Sequence, residues 1–259
     1  MNFEHYLLKT SYCRYYARIE KYSNLLHKVY VGGRKKCVAF SVYIDGESHP
    51  NLDTWSYNDE CNVEGNLEQG RGSLHLLKTA CFFIKAKYGH SKIEFIEKSY
   101  VMCSNNWRMP LCYYYLVKHG KTWYEEKLGA HPESIKAQQR YHDEKQKLMA
   151  SLTSLDKPSF KEFASDYNIS KTLYEGLKNI YDSSKTLKGF FKIIFDEYDC
   201  GVLKGWFVDF VSDYTRTYGS SWIFDIPSDD AATSIEALSE APKDMFLVIK
   251  TPHNTNYGV

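Results

Sequence analysis

The chain has 259 residues, a net charge of +1, a hydrophobic content of 43% and an aromatic content of 16% that includes 22 tyrosines. This length fits one large domain or two smaller ones, and the small net charge argues against a general nucleic-acid-binding protein. The sequence has no run of about 18 apolar residues that would predict a membrane span. It also lacks a signal-peptide pattern at its start. We therefore expect a cytoplasmic protein.

Seven cysteines are scattered along the chain without the CxxC or Cys/His spacing of a metal site. Several lie in apolar surroundings, and unpaired cysteine is among the most buried residue types. The sequence therefore predicts no metal and favours buried, reduced thiols in a cytosolic compartment. The seven are Cys13, Cys37, Cys61, Cys81, Cys103, Cys112 and Cys200.

The first part of the chain alternates apolar and polar residues. Residues 11–21 and 36–45 show this period of two, which predicts half-buried strands. Two consecutive glycines, Gly32 and Gly33, precede the second of these strands and suggest a hairpin turn. Residues 53–63 are a candidate third strand.

A helical pattern then begins at Gly72 and ends at Gly89. Its apolar stripe has spacings of three and four residues and consists of Leu74, Leu77, Cys81, Ile84 and Tyr88. The pattern of residues 92–100 predicts the next strand. A second helix is predicted after Pro110, and Gly129 is a candidate C-cap for the helical region that follows. A strand, a helix and another strand in succession predict that the two strands are parallel.

The second part of the chain has a different pattern. We predict an α/β (α+β) core over residues 1–131, with a mixed sheet flanked by helices, and a mainly helical extension over residues 132–259. Within the extension, residues 186–215 predict a buried helix pair. Residues 227–244 form an acidic segment with helical potential, and residues 245–251 predict a final strand.

Three places in the sequence contain candidate binding or catalytic residues. The stretch "QGRG", residues 69–72, opens the predicted helix, where unpaired backbone N–H groups hold positive potential and glycine lets a phosphate approach. The alternative is a simple strand-to-helix corner. Tyr124 lies near a helix terminus and is a candidate proton donor, or else part of an aromatic stripe. Glu64 and Glu68 are candidate bases or solvated loop carboxylates.

The order of these elements resembles the GCN5-related N-acetyltransferase (GNAT) superfamily. The resemblance covers about residues 10–131. Gln69 and Gly72 match the acetyl-CoA motif of that family, although Leu74 stands where the family has a second small residue. The end of the second helical region, with Tyr124 and Gly129, resembles the family's next signature.

This resemblance implies an acetyl-CoA-dependent N-acyltransferase that acts on an amine. A carboxylate, for which Glu68 is the candidate, would take the proton of the amine, and Tyr124 would protonate the departing thiolate of CoA. Orientation of the two substrates would contribute much of the rate. The pyrophosphate of acetyl-CoA would be held by Gln69, Gly70, Arg71, Gly72 and Ser73.

A second class of function remains open. The string "HGKTWYEEKLGA" is similar to sequences of large nucleocytoplasmic DNA viruses. It suggests a catalytically inactive GNAT-like structural or interaction protein, such as a minor capsid or virion component. The expected partners are then other proteins of an assembly rather than an amine acceptor, and the expected location is the host cytoplasm or the virion. The high aromatic content also suits half-buried surfaces inside an assembly.

Overall fold

A computed structural model describes residues 2–65, 67, 69–226 and 234–246, without the side chains of Gln69, Gly70 and Lys204. The chain forms two compact units. The first unit consists of Met1–Ile96 together with Trp222–Val259, and the second consists of Glu97–Ser221. The boundary predicted after residue 131 falls inside the second unit.

The described residues contain eleven strands and eight α-helices. The strands are β1 (Asn2–Lys9), β2 (Arg14–Lys21), β3 (Leu26–Gly32), β4 (Lys36–Tyr43), β5 (Asn51–Trp55), β6 (Lys92–Ile96), β7 (Tyr100–Met102), β8 (Arg108–Pro110), β9 (His131–Pro132), β10 (Ser221–Asp225) and β11 (Ser234–Leu238). The helices are α1 (Gln69–Tyr88), α2 (Leu111–His119), α3 (Trp123–Leu128), α4 (Ile135–Thr153), α5 (Phe160–Asp166), α6 (Lys171–Ser183), α7 (Leu187–Glu197) and α8 (Lys204–Ser212). In this part of the chain, no helix combines the length and apolarity needed to cross a membrane.

The first unit is built on one sheet with the strand order β11-β1-β2-β3-β4-β5-β6-β10. Neighbouring strands from β11 to β5 are antiparallel. The β5 and β6 strands, which flank α1 in the chain, are parallel, as predicted. The predicted α/β (α+β) class with a mixed sheet is therefore confirmed at this coarse level, although the sheet is larger than predicted because it also contains β1, β3, β10 and β11.

One face of this sheet packs against α1. Val29 and Phe40 on that face are fully buried, as are Leu77 and Ile84 of the predicted helical stripe. Burial of a side chain of this size contributes about 1.5–3 kcal/mol. The alternation of each strand then places polar residues on the opposite face, where Arg18 and other charged side chains lie.

Two predictions of local structure were wrong. The third strand is β5, Asn51–Trp55, rather than residues 53–63, because β5 pairs with β4 only as far as the Val38–Trp55 pair. The acidic segment 227–244 contains the strand β11 instead of a helix. Its backbone pairs with β1 in an antiparallel register that joins Leu7 to Glu236, and this tertiary pairing outweighs the local helix propensity. The predicted strand at residues 245–251 lies outside the described residues from 247 onward.

The second unit is mainly helical, with a small β7–β8 hairpin. The predicted helix pair in residues 186–215 is confirmed as α7 and α8, and a short 3₁₀ turn, Cys200–Val202, separates them. Capping boxes start two other helices, at Thr122 for α3 and Ser159 for α5. The core is rich in aromatic rings that pack at tilted or edge-to-face angles. It includes Phe163, Tyr181, Phe190, Phe191, Trp206 and Phe210.

The prediction that all cysteines are reduced was wrong for four of the seven. Cys37 is bonded to Cys61 in the first unit, and Cys103 is bonded to Cys200 in the second. The three free thiols are buried, as predicted, and belong to Cys13, Cys81 and Cys112. The sequence spacing gave no signal for either bridge, because each pair is brought together only by the fold.

We expect loss of the Cys103–Cys200 bridge to destabilise the protein by about 5 kcal/mol, because the bridge closes a loop of 97 residues and limits the freedom of the unfolded chain. The Cys37–Cys61 bridge closes a shorter loop of 24 residues, so its loss should destabilise the protein by about 3 kcal/mol. The measurement is urea unfolding, followed by tryptophan fluorescence, of the Cys103→Ser/Cys200→Ser and Cys37→Ser/Cys61→Ser variants. A wild-type midpoint that does not change when a reductant is added would contradict both bridges.

Candidate functional site

The predicted phosphate-binding segment forms the first turn of α1. The helix begins at Gln69, and its first turn contains no acidic side chain. Within this turn Arg71 is exposed, whereas Gly72 and Ser73 are buried. Glu68 lies outside the described residues, and only the backbone is described for Gln69 and Gly70. Among the described groups, the backbone N–H groups and the exposed Arg71 side chain match the predicted cofactor contacts, and Ser73 is buried.

Two aromatic side chains from the end of β5 and the loop after it cover this turn. The indole N–H of Trp55 donates to the carbonyl oxygen of Ser73 at 3.2 Å. The hydroxyl of Tyr57 donates to the carbonyl oxygen of Leu67 at 3.2 Å. Both aromatic residues are buried.

The ring of Tyr57 lies directly against Gly72. A Cβ atom built on Gly72 would come within 2.2 Å of the ring carbon Cζ of Tyr57. No side chain fits there without displacement of the ring, so the glycine is required by the contact with Tyr57. This is the close approach that a glycine in such a motif permits, but the group that approaches is an aromatic ring rather than a phosphate.

Tyr124, the predicted proton donor, lies in the second unit on α3. Thr122 begins this helix with a capping box that it shares with Glu125, and Gly129 ends the helix in a left-handed conformation with φ = 65°, as predicted. These two caps fix the short helix and hold Tyr124 toward the interior, where its exposed fraction is 6%. Burial raises the pKa of the Tyr124 phenol far above its usual value, and the nearby charge of Glu97 adds to this effect.

Tyr124 belongs to a hydrogen-bonded chain of three residues. Its hydroxyl is hydrogen-bonded to the side chain of Ser99, and the hydroxyl of Ser99 donates to a carboxylate oxygen of Glu97. The backbone N–H of Ser99 donates to the same oxygen at 3.1 Å. The structure thus places Tyr124 close to a carboxylate that was not predicted.

Glu97 is almost completely buried, with an exposed fraction of 1%. Removal of its carboxylate from water raises the pKa of Glu97 to about 7, although the two hydrogen bonds from Ser99 act in the opposite direction. The buried thiol of Cys112 lies nearby, and burial followed by the charge of Glu97 raises its pKa well above the usual value. The cluster thus contains a carboxyl group that can exchange a proton near neutral pH.

The sequence contained one signal for Glu97. In the strand pattern "KIEFIEKS", Ile93 and Phe95 mark the buried positions, and Glu97 is the next residue of the same parity. A carboxylate at an inward-facing position is unusual because its desolvation is costly. This signal identifies a buried acid, but it does not reveal Ser99 and Tyr124 as its neighbours.

The predicted site residues do not all belong to one unit. The α1 residues Arg71, Gly72 and Ser73 lie in the first compact unit, and Tyr124 lies in the second. Among the residues that the structure describes, no group of three or more His, Cys, Asp or Glu side chains could hold a metal ion.

Comparison with known proteins returned no similarity. No protein-family model matches the chain, and neither a curated protein nor a solved structure matches it. The function must therefore be inferred from the geometry of this chain.

We expect Gly72→Ala to destabilise the protein by about 1–3 kcal/mol, because the added methyl group displaces the ring of Tyr57. The matched control is Gly176→Ala on α6, where an added Cβ has no neighbour within 4 Å. Removal of that glycine from a helix should stabilise the protein by up to about 1 kcal/mol. The measurement is the free energy of unfolding in urea. A Gly72→Ala protein at least as stable as the wild type would show that the space beside Gly72 is open.

The pKa of Glu97 makes stability depend on pH. Its folded pKa of about 7 lies above the ordinary value of 4.5, so the folded state holds an additional proton between these two pH values. The stabilising contribution is complete below pH 4.5 and is lost as the pH rises through 7. The difference between the two pKa values corresponds to a loss of about 3 kcal/mol in the free energy of unfolding.

We therefore expect Glu97→Gln, which stays neutral at every pH, to remove this part of the pH dependence and to become more stable relative to the wild type as the pH rises. The measurement is urea unfolding of both proteins at intervals from pH 5 to pH 8. The control is Glu175→Gln, at an exposed position of α6. Parallel pH profiles for the wild type and Glu97→Gln would exclude a neutral, buried carboxyl group.

Proposed function

We propose that this chain is a non-catalytic structural or interaction protein with a GNAT-like arrangement. The observation that carries the proposal is the contact between the ring of Tyr57 and Gly72. A diphosphate bound by the backbone at the start of α1 would need the space that this ring occupies.

The arrangement of β5, α1 and β6 supports the GNAT-like part of the proposal. The two parallel strands share a single pair, Asn51 with Glu94, and one additional hydrogen bond from the N–H of Glu94 to the carbonyl oxygen of Pro50 at 2.9 Å. From Leu52 onward β5 pairs only with β4. In the GNAT family the cofactor enters a gap between two such diverging strands. Here the Trp55 and Tyr57 rings lie at that end of β5.

The two disulfides favour an assembly role outside a reducing cytosol. Disulfide bonds persist in oxidising surroundings such as the outside of a cell or a virion. One bridge in each compact unit fits a protein that must survive outside the cell. This supports the virion component among the functions considered, and other proteins of an assembly are then the partners.

Acyl transfer is the second candidate function, and one observation favours it. The chain Tyr124–Ser99–Glu97 joins a phenol to a carboxyl group whose pKa is about 7. In an acyl transfer, the amine nitrogen would attack the thioester carbonyl carbon, Glu97 would accept the proton of the amine, and Tyr124 would protonate the departing thiolate. Glu97 would then have the role that the sequence suggested for Glu68.

Calorimetry with acetyl-CoA distinguishes the two functions. We expect no binding to the wild type at ligand concentrations up to about 1 mM, which corresponds to a binding free energy weaker than about −4 kcal/mol. The reason is the Tyr57 ring beside Gly72. Micromolar binding that disappears in Gly72→Trp would overturn the non-catalytic proposal and support acyl transfer. A variant of the second unit, Tyr124→Phe, is the control because it leaves α1 unchanged.

A further inference from the structure

The two disulfides differ in how far the surrounding chain buries them. Cys37 and Cys61 have exposed fractions of 1% and 0%. Cys103 is also buried, but its partner Cys200 is only partly buried. Thiol–disulfide exchange begins when a thiolate attacks one sulfur of the bridge, so its rate depends on access to that sulfur. In the folded protein, a dissolved thiol therefore has better access to the second bridge, through Cys200, than to the first.

The more accessible bridge joins the turn of the β7–β8 hairpin, residues 103–107, to the connection between α7 and α8, residues 198–203. These two segments are called the clasp below. The hydroxyl of Ser104 donates to the carboxylate of Asp199 at 2.7 Å, and the side-chain amide of Asn105 donates to a carbonyl oxygen of the connection at 3.4 Å. All three of these residues are exposed, so water competes for their hydrogen bonds and each bond contributes little. The covalent bond is therefore the strongest link within the clasp.

The core beneath the clasp is held by other contacts. The N–H of Leu111 donates to the carbonyl oxygen of Ser99 at 3.0 Å and closes the base of the hairpin. Met109 of β8 is buried in the aromatic core of the second unit, together with Leu203 and Phe207. A disulfide stabilises a protein mainly by restricting the unfolded chain, so its reduction removes none of these contacts. Opening of the clasp can therefore be local.

We propose that the Cys103–Cys200 bridge is a redox-sensitive clasp, which a dithiol opens in the folded protein while the Cys37–Cys61 bridge stays intact. A thiolate of the dithiol attacks the Sγ atom of Cys200 and forms a mixed disulfide, and Cys103 leaves as a thiolate that takes up a proton. The second thiol of the dithiol loses its proton and attacks the sulfur of its own molecule in the mixed disulfide, and Cys200 is released and protonated. The protein bridge gains two electrons and two protons, and the dithiol becomes a cyclic disulfide.

The clasp makes one surface of the second unit depend on the redox state of its surroundings. In an oxidising compartment the bridge holds the hairpin turn against the connection between α7 and α8. In a compartment that keeps thiols reduced, the two segments are joined only by weak contacts and separate from each other. This inference goes beyond the proposed function and does not depend on whether the protein binds acetyl-CoA.

The test compares the rates at which the two bridges are reduced in the full-length wild type. The protein is incubated with dithiothreitol near neutral pH without denaturant, samples are alkylated with N-ethylmaleimide at intervals, and the labelled cysteines are located by mass spectrometry of peptides. We expect Cys103 and Cys200 to be labelled at least about tenfold faster than Cys37 and Cys61, because the buried bridge reacts only after a larger opening of the chain. In urea, where the chain is unfolded, the two bridges should react at similar rates.

A matched variant separates direct attack from global unfolding. The Cys37→Ser/Cys61→Ser protein is less stable overall, but its clasp is unchanged. We expect the clasp to be reduced at the wild-type rate in this variant, because attack on the partly buried Cys200 does not require unfolding. A clasp that is reduced faster in proportion to the loss of stability would show that reduction follows unfolding, and this would overturn the proposal.

Hydrogen exchange of the wild type in dithiothreitol then shows how far the opening extends, and it does not depend on the folding of any variant. We expect faster exchange in residues 103–107 and 198–203, with protection retained in β8 and in the helices α2 and α8. Two results would contradict the clasp. One is equal reduction rates for both bridges in the absence of urea, and the other is loss of protection throughout the second unit when the bridge is reduced.

Discussion

The packing of Tyr57 against Gly72 determines what the start of α1 can do. The contact leaves no space for a Cβ atom, and the hydrogen bonds from Trp55 to Ser73 and from Tyr57 to Leu67 attach the same turn to the end of β5. Glycine allows the backbone of a helix N-terminus to approach a ligand closely. In this chain the closely approaching group is a side chain of the protein itself. The same residue type therefore supports packing against Tyr57 here.

The second unit contains a carboxyl group, that of Glu97, which could take part in proton transfer but has no evident ligand. Burial raises the pKa of Glu97 toward neutrality, and the same desolvation lowers the stability of the protein when Glu97 ionises. Ser99 provides two hydrogen bonds to the carboxylate and connects it to Tyr124. Such a chain suits either proton transfer or a buried structural network. The covered start of α1 favours the structural explanation.

Two features of the structure fit the proposed assembly role. Each compact unit contains a disulfide, and aromatic rings cover the start of α1. Aromatic residues also form much of the core of the second unit. Aromatic rings provide large contact areas with few rotatable bonds.

The sequence by itself determined the elements whose pattern is local. The period-two strands β2 and β4, the apolar stripe of α1, the parallel pairing of β5 with β6 and the glycine cap at Gly129 all follow from the spacing of neighbouring residues. Glu97 was not predicted, although its charge falls in the apolar register of the predicted strand 92–100, which in the structure ends at Ile96.

Only the tertiary structure decided which residues meet. Cys103 and Cys200 are 97 positions apart, β11 forms because β1 offers it an edge, and Tyr57 covers Gly72 because the chain after β5 folds back onto α1. Long-range contacts of this kind depend on how whole elements pack. Neither propensity nor motif spacing records that packing, so the glycine turn looked the same in the sequence whether a phosphate or a tyrosine lay against it.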